Sequence, residues 1–219
     1  MAATRKIGSS PGRAHRGATS NAESQRFNLP SRELDGDWLD ARAAIDGEPA
    51  PIRTTVSVLK PKTIISYNKS PDVPFDRSIN TMVGCEHGCI YCFARPSHAY
   101  HDLSPGLDFE TKLFVKPDAA VLLRQELAKL GYRCAPIAMG TNTDPYQPIE
   151  AKWRITRDVI EVLAACDHPL MITTKSNRVL RDLDLLVPMA QKDLVGVAIS
   201  ITSLDPRIAM TIEPSAPHP

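Results

Sequence analysis

The second half of the chain alternates between two hydrophobic patterns. Short apolar runs, typical of strands buried on both faces, are separated by longer stretches whose apolar residues recur at every third or fourth position, as on one face of a helix. The predicted strands are Ala135–Gly140, Leu170–Thr174 and Leu194–Ile201, and the predicted helices are Lys152–Ala165 and Arg178–Ala190. Because strands that alternate with helices are joined by right-handed parallel crossovers, the pattern predicts an α/β fold with a parallel sheet.

The helical stretches also predict which side chains face the core. Their apolar stripes are Ile155, Val159, Val162 and Leu163 in one helix, and Leu183, Leu186 and Val187 in the next. Upstream, a helix is predicted to open at Pro117, to place Leu123, Leu127 and Leu130 on one face, and to end at Gly131. Extended segments are predicted at Thr63–Ser66, Arg77–Val83 and Asp108–Val115. A parallel sheet of this kind binds ligands at the C-terminal ends of its strands.

Residues 1–55 show neither pattern. Met1–Ala22 contains basic residues among Ser, Gly and Ala but no acidic residue. Such a composition buries too little apolar surface to offset the entropy of ordering the chain. We therefore predict a flexible, basic N-terminal extension and linker over residues 1–55, followed by one folded domain over residues 56–219. An organellar transit peptide shares the composition, but no amphipathic period accompanies it.

Overall composition narrows the class of protein. The 219 residues suffice for one domain with a sizeable core, and 26 Lys and Arg against 25 Asp and Glu give a net charge of +1. This balance demands neither a nucleic-acid nor a membrane partner. No apolar run approaches the roughly 18 residues of a spanning helix. Free thiols for metal binding require a reducing compartment, so a cytoplasmic location is predicted.

Three of the five cysteines lie within one short stretch, Gly84–Arg95. Cys85, Cys89 and Cys92 have C-x3-C-x2-C spacing, and thiolates are soft ligands suited to iron–sulfur clusters and zinc. A [4Fe–4S] cluster held by three cysteines leaves one iron open for a substrate. The alternative is a structural zinc ion with His87 or His98 as fourth ligand. A disulfide framework is disfavoured because the cysteines are few and odd in number.

The surrounding residues carry a family resemblance. With Tyr91 as the aromatic, C-x3-C-x-aromatic-C resembles the cluster loop of the radical S-adenosylmethionine (SAM) superfamily. The wider run from Ser78 to Pro96 resembles the spore photoproduct lyase-like, or DNA repair photolyase-like, branch, whose members commonly read N-x-Y-x-G-C-x-H-x-C-x-Y-C-Y-A-R. The similarity begins near Ile64, and Thr81-Met82 departs from it, since relatives usually carry Pro-Tyr there.

The resemblance implies a fold and a reaction. The fold would be a (β/α)6 partial TIM barrel, of which only about four strands fit before Pro219, so we expect an incomplete, truncated barrel. A reduced [4Fe–4S] cluster would cleave SAM to a 5′-deoxyadenosyl radical, which abstracts hydrogen from an unknown substrate. An electron donor such as flavodoxin or ferredoxin is implied, nucleic acid is a candidate substrate, and no membrane partner is expected.

The resemblance also implies binding residues, whereas no side chain is assigned to the catalytic step itself. Cys85, Cys89 and Cys92 would hold the cluster. The expected SAM contacts are Tyr91 and the backbone around Phe93 for adenine, Thr141, Asn142 and Thr143 for the amino group, Lys175 for the carboxylate, and Ser200. The residues after the strands also have plain structural explanations: an Asn- and Pro-rich βα turn for Thr141–Thr143, a solvated lysine for Lys175, and a small residue that fills the barrel for Ser200.

Two cysteines fall outside the motif. Spore photoproduct lyase uses an additional cysteine near the end of its second barrel strand, where this chain has Met139-Gly140. Cys134 lies at the opposite end of that strand, roughly 20 Å away at ~3.3 Å per residue, so thymine-dimer reversal is not predicted. Cys166 is expected to be a small buried hydrophobe.

Two other functional classes stay open on the sequence alone. One is a non-catalytic module with zinc in the cysteine loop and nucleic acid bound to the basic N-terminus. The other is an inactive, truncated radical SAM remnant.

Overall fold

The computed structural model describes residues 16–18, 20–21 and 53–217. The predicted extension over residues 1–55 therefore lies largely outside the described residues. The strands are β1 Thr55–Val58, β2 Ile65–Tyr67, β3 Arg77–Ile79, β4 Met82–Val83, β5 Lys112–Val115, β6 Ile137–Met139, β7 Leu170–Thr174 and β8 Val195–Ile199. The α-helices are α1 Asp108–Thr111, α2 Ala119–Leu127, α3 Glu150–Trp153, α4 Ile155–Ala165, α5 Leu183–Ala190 and α6 Pro206–Ile212, and two 3-10 helices span Arg95–His101 and Asn177–Asp182.

The strands form two sheets in a mixed α/β arrangement. The larger has the order β2-β3-β6-β7-β8. Its strands β3, β6, β7 and β8 are mutually parallel, while β2 is antiparallel to β3 at the edge. The smaller sheet has the order β1-β5-β4. The predicted parallel sheet is confirmed, and residues at or just after the C-terminal ends of β6, β7 and β8 line one cavity with the cysteine loop.

The stretch predicted as one strand, Arg77–Val83, is two strands in different sheets, so that prediction is wrong in detail. The chain leaves the larger sheet at Asn80, whose Oδ1 accepts from the backbone N–H of Asn142 at 3.0 Å. The backbone N–H of Lys116 then donates to the Thr81 carbonyl at 3.1 Å. These bonds redirect the chain into β4 and toward the cysteine loop.

Three other predicted elements are interrupted. Asp108–Val115 begins as the helical turn α1 rather than as extended chain. The helix predicted over Lys152–Ala165 breaks at Arg154, which has a positive φ of 54°, and the region Arg178–Ala190 starts as a 3-10 helix. α2 ends at Leu127, before the predicted end at Gly131.

The main core lies between the larger sheet and helices α2, α4 and α5. The predicted inward stripe of α4 is confirmed, since all four of its residues are buried, as is Leu123 of α2. By contrast Leu130, Leu183 and Val187 are exposed, so their predicted inward placement is wrong. Leu130 lies beyond the end of α2, and of the stripe predicted for α5 only Leu186 is buried.

The outer edge of the larger sheet is apolar. In the part of the chain that the structure describes, β8 pairs with β7 on one side only. Val197 and Ile199 of β8 are 42% and 48% exposed. Within the same residues, no helix is both long and apolar enough to cross a bilayer.

Candidate functional site

The cysteine loop, Gly84–Arg95, follows β4 and turns sharply at two glycines. Gly84 and Gly88 have φ values of +80° and +68°, a region that favours glycine. A Cβ at Gly84 would lie 2.7 Å from the Phe109 carbonyl oxygen, the acceptor of the Cys85 backbone N–H at 3.0 Å. Glycine is therefore required for the loop to pass close under α1.

All ten residues predicted to bind the cluster or SAM line one cavity of about 240 Å³. The loop supplies one wall, and the chain segments after β6, β7 and β8 supply the others. The predicted members are Cys85, Cys89, Tyr91, Cys92, Phe93, Thr141, Asn142, Thr143, Lys175 and Ser200; the remaining lining residues are His87, Ala94, Gly140, Asp144, Thr173 and Thr174. The role of each residue stays a prediction. That all ten residues line the same cavity is an observation that does not depend on those roles.

The three loop cysteines are free thiols. Cys85 and Cys89 are each 8% exposed, and Cys92 is half-buried. Burial raises the pKa of Cys85, and it raises the pKa of Cys89 to about 12. Burial therefore favours the protonated, neutral form of both thiols in the absence of a metal cation. Among the described residues, no three His, Cys, Asp or Glu side chains are grouped closely enough to hold a metal ion as they stand.

The two histidines considered as a fourth zinc ligand differ in location. His98 is buried with Nε2 donating to the Lys112 carbonyl at 2.9 Å, packs edge-on against Phe109, and does not line the cavity. His87 does line it. Its Nδ1 lies 3.4 Å from Asp144 Oδ2, within ion-pair distance but without a directed hydrogen bond.

Asp144 joins the cysteine loop to β7. Its Oδ1 accepts from the Thr174 hydroxyl at 2.6 Å, and its Oδ2 accepts from the backbone N–H of Lys175 at 2.7 Å. Burial would raise the pKa of Asp144, but His87 and these hydrogen bonds together lower it. Asp144 is therefore a buried anion beside the thiols, and the sequence analysis missed its role. The only sequence signal was its position in the Thr-Asn-Thr-Asp-Pro turn after a strand.

The three predicted residues after β6 are partly engaged by the fold. The Thr143 hydroxyl donates to the Gly84 carbonyl at 2.6 Å, and Thr141 is hydrogen-bonded to Asn80. Asn142 is exposed. Thr143 thus holds the start of the cysteine loop, whereas the Asn142 side chain is open to the cavity.

Lys175 carries a cation to the cavity and is held by a carboxylate. Its Nζ lies 2.6 Å from Glu213 Oε1 and donates to Ser200 Oγ at 2.9 Å. The same Oε1 accepts hydrogen bonds from the hydroxyls of Tyr91 and Thr202. Glu213 directly follows α6. Its Oε1 therefore links the end of α6 to the cysteine loop through Tyr91, to the end of β7 through Lys175, and to the chain after β8 through Thr202. Sequence reasoning missed Glu213 because no local pattern links it to Lys175.

The two cysteines outside the loop lie apart from this cavity. Cys134 precedes β6, and together with Cys166 it lines a different cavity beside Tyr132 and His168. Both thiols are exposed. The prediction that Cys166 is buried is wrong, because α4 ends at Ala165 and Cys166 follows its last buried turn.

No family model matches the chain. An uncharacterized protein of Mycobacterium tuberculosis is 43% identical over 157 residues, which are 70% of this chain and 46% of that protein. An uncharacterized protein of Methanocaldococcus jannaschii is 28% identical over 73% of this chain and 56% of its own length. The structure of spore photoproduct lyase complexed with dinucleoside spore photoproduct aligns with a TM-score of 0.48 and 17% identity, over 88% of this chain and 49% of that one. The chain spans about half the length of the curated relatives it matches.

Proposed function

We propose that this chain is a radical SAM protein of the spore photoproduct lyase-like branch, with a [4Fe–4S] cluster held by Cys85, Cys89 and Cys92. The observation that carries the proposal is that these thiols share one cavity with every residue expected to contact SAM. That cavity lies at the C-terminal ends of parallel strands, where such folds bind ligands. We take β3, β6, β7 and β8 to be the first strands of an incomplete (β/α)6 barrel.

The donor set suits a cluster with an open coordination position. Three free thiols line the cavity, while Cys134 and Cys166 line another one. Soft thiolates suit iron–sulfur clusters, and binding of the metal would favour their deprotonation in spite of the raised pKa of Cys89. His98, one of the two candidates for a fourth zinc ligand, does not line the cavity that holds the three thiols.

The remaining residues would bind and orient SAM. Lys175 would face its carboxylate, Asn142 its amino group, and Tyr91 and the backbone around Phe93, two residues that are 52% and 80% exposed, its adenine. Once bound, the cluster would supply the electron that reductively cleaves SAM to the 5′-deoxyadenosyl radical. Lys175 is already paired with Glu213. To bind the carboxylate of SAM as well, its ammonium group would have to donate hydrogen bonds to both carboxylates.

The wider setting follows from the same proposal. An unidentified substrate, with nucleic acid as one candidate class, would donate the hydrogen atom, and flavodoxin or ferredoxin would supply electrons in the cytoplasm. Reversal of thymine dimers is not proposed, because Cys134 is exposed in a different cavity.

The test compares two cysteine substitutions in the anaerobically reconstituted protein. Cys89→Ala should abolish the broad visible absorption of an iron–sulfur cluster, because it removes one of three ligands. Cys134→Ala is the matched control and should leave the spectrum unchanged. A spectrum that survives Cys89→Ala would refute the ligand assignment, and one zinc per chain in place of iron and sulfide would favour the non-catalytic zinc module.

A further inference from the structure

A short N-terminal segment lies against the cysteine loop and α1. We call residues 16–18 and 20–21 the N-terminal clamp. The backbone N–H groups of Gly17 and Ala18 donate to the two carboxylate oxygens of Glu110, at 3.0 and 2.8 Å. Arg16 donates to the Glu110 carbonyl oxygen at 3.0 Å. The clamp falls within residues 1–55, the region predicted to be a flexible extension.

Glu110 is the buried anchor of the clamp. The residue is fully inaccessible to solvent, and a buried carboxylate is costly unless its oxygens are hydrogen-bonded and its charge is paired. The clamp supplies two of the hydrogen bonds, and the Arg95 guanidinium, at 2.6 Å, supplies the ion pair. Without the clamp, one oxygen of Glu110 would lose the only donor found for it among the described residues.

Arg95 transmits this anchoring to the cysteines. Its guanidinium donates to the Cys89 carbonyl through Nε at 3.2 Å and through Nη2 at 2.9 Å, and it stacks over Phe109, with 5.4 Å between Cζ and the ring centre. The carbonyl of Cys89 also accepts the backbone N–H of Cys92. The path from the clamp to two of the three thiols is thus continuous.

A second contact places the clamp directly on the loop. A Cβ at Gly17 would lie 1.6 Å from the Gly88 carbonyl oxygen, so only glycine allows this approach. At the other end of the clamp, Asn21 and Asp108 form two hydrogen bonds. Asn21 Nδ2 donates to Asp108 Oδ1 at 3.2 Å, and the backbone N–H of Asp108 donates to Asn21 Oδ1 at 3.0 Å. The Ser20 carbonyl accepts the Leu107 N–H at 3.2 Å. The clamp is therefore fastened on both sides of Glu110.

We infer that the N-terminal clamp positions the cysteine loop, with Glu110 as the positioning residue that links Gly17 and Ala18 to Arg95 and Cys89. The loop holds its thiols ready for a metal only while the clamp is bound. The claim about the thiols rests on the proposed function, because it takes the loop to be a metal site. The claim that the clamp positions the loop does not depend on that function. The two are therefore tested by separate measurements on the same variants.

The first measurement is amide hydrogen exchange of the peptide over Gly84–Arg95 in the metal-free, full-length chain. Gly17→Ala should accelerate exchange there by about tenfold, because a methyl group at Gly17 cannot fit against Gly88. Ser20→Ala is the matched control, since Ser20 contributes its backbone carbonyl, and it should match the wild type. Equal exchange in Gly17→Ala and Ser20→Ala, with β7 protected in both, would overturn the inference.

If Gly17→Ala unfolds the whole domain, two milder variants decide. Glu110→Gln keeps the shape but removes the charge that pairs with Arg95, and Glu161→Gln changes a surface glutamate that is 46% exposed by side chain. Exchange in the loop should rise in the first and not in the second. Equal exchange in both variants would refute a positioning role for Glu110.

The second measurement is titration with cobalt(II), whose thiolate complexes absorb strongly. Gly17→Ala should weaken binding at the loop by about tenfold relative to Ser20→Ala, in proportion to the lost ordering of the ligands. Faster exchange with unchanged cobalt affinity would refute the claim that the clamp prepares the thiols. If the wild-type chain binds neither cobalt nor a cluster, the proposed function fails. The hydrogen-exchange measurement still tests whether the clamp positions the cysteine loop.

Discussion

The ion pair between Lys175 and Glu213 offers a quantitative test of how the cavity wall is built. Glu213→Gln removes the charge and keeps the size of the side chain, and Lys175→Met removes the cation. The two charged atoms lie 2.6 Å apart, and the side chains are only 16% and 7% exposed. Solvent therefore screens this pair much less than a surface salt bridge.

Removing one partner of a buried pair costs about 3–5 kcal/mol, because the other charge is left uncompensated. Lys175 keeps some solvent contact and a bond to Ser200, so we expect a loss near the lower limit, about 3 kcal/mol for Glu213→Gln. The double variant should lose less than the sum of the two single variants. The expected coupling energy is about 2 kcal/mol.

The sign of the pH dependence follows from the two pKa shifts. Burial raises the pKa of Glu213, but the hydrogen bonds from Lys175, Thr202 and Tyr91 lower it overall from 4.5. Its stabilisation is therefore present above pH 4.5 and is lost as the pH falls through the lower folded value. Burial disfavours the Lys175 cation, but Glu213 and Tyr91 raise its pKa above 10.5, so its contribution is present below that pH and is lost as the pH rises through the folded value.

The assay is urea unfolding of the wild type, both single variants and the double variant. At pH 7 the difference in free energy of unfolding between wild type and Glu213→Gln should be fully developed. It should shrink in acid as Glu213 becomes protonated. A coupling energy below about 0.5 kcal/mol would refute the buried ion pair, as would a difference that is independent of pH.

Two further pairs of substitutions test the fold around the site. Gly140→Ala should lower the free energy of unfolding by at least about 2 kcal/mol, and Gly131→Ala by about 1 kcal/mol. Both glycines have positive φ, but only a Cβ at Gly140 meets a neighbour, the Thr173 carbonyl oxygen at 2.0 Å. Equal losses would contradict the close approach of β6 to β7. In the same unfolding assay, Leu123→Ala should cost about 3 kcal/mol and Leu130→Ala less than about 0.5 kcal/mol, because Leu123 is buried and Leu130 is exposed. A large loss of stability in Leu130→Ala would contradict the end of α2 at Leu127.

The elements that sequence predicted well are those with one dominant pattern. β7 has the predicted bounds, and the inward stripe of α4 is buried as expected. The breaks were not predictable, because they depend on partners remote in sequence. Asn80 ends β3 by bonding the turn after β6, and no local pattern around Arg77–Val83 contains that information.

The candidate site divides in the same way. That the cysteines, Lys175 and Ser200 lie around one cavity could be predicted, because the motif and the strand-end positions mark them. Glu110 and Glu213 were missed, since each acts through groups far along the chain, namely the clamp in one case and Lys175 in the other. Buried carboxylates of this kind are recognised only when their donors are seen.

The most direct test of the central claim is electron paramagnetic resonance of the reduced, anaerobically reconstituted protein, with and without SAM, together with iron and sulfide analysis. Three cysteine ligands predict about four irons and four sulfides per chain and a spectrum that changes when SAM is added. A single zinc ion per chain, or a cluster whose spectrum is indifferent to SAM, would contradict an open coordination position at Cys85, Cys89 and Cys92.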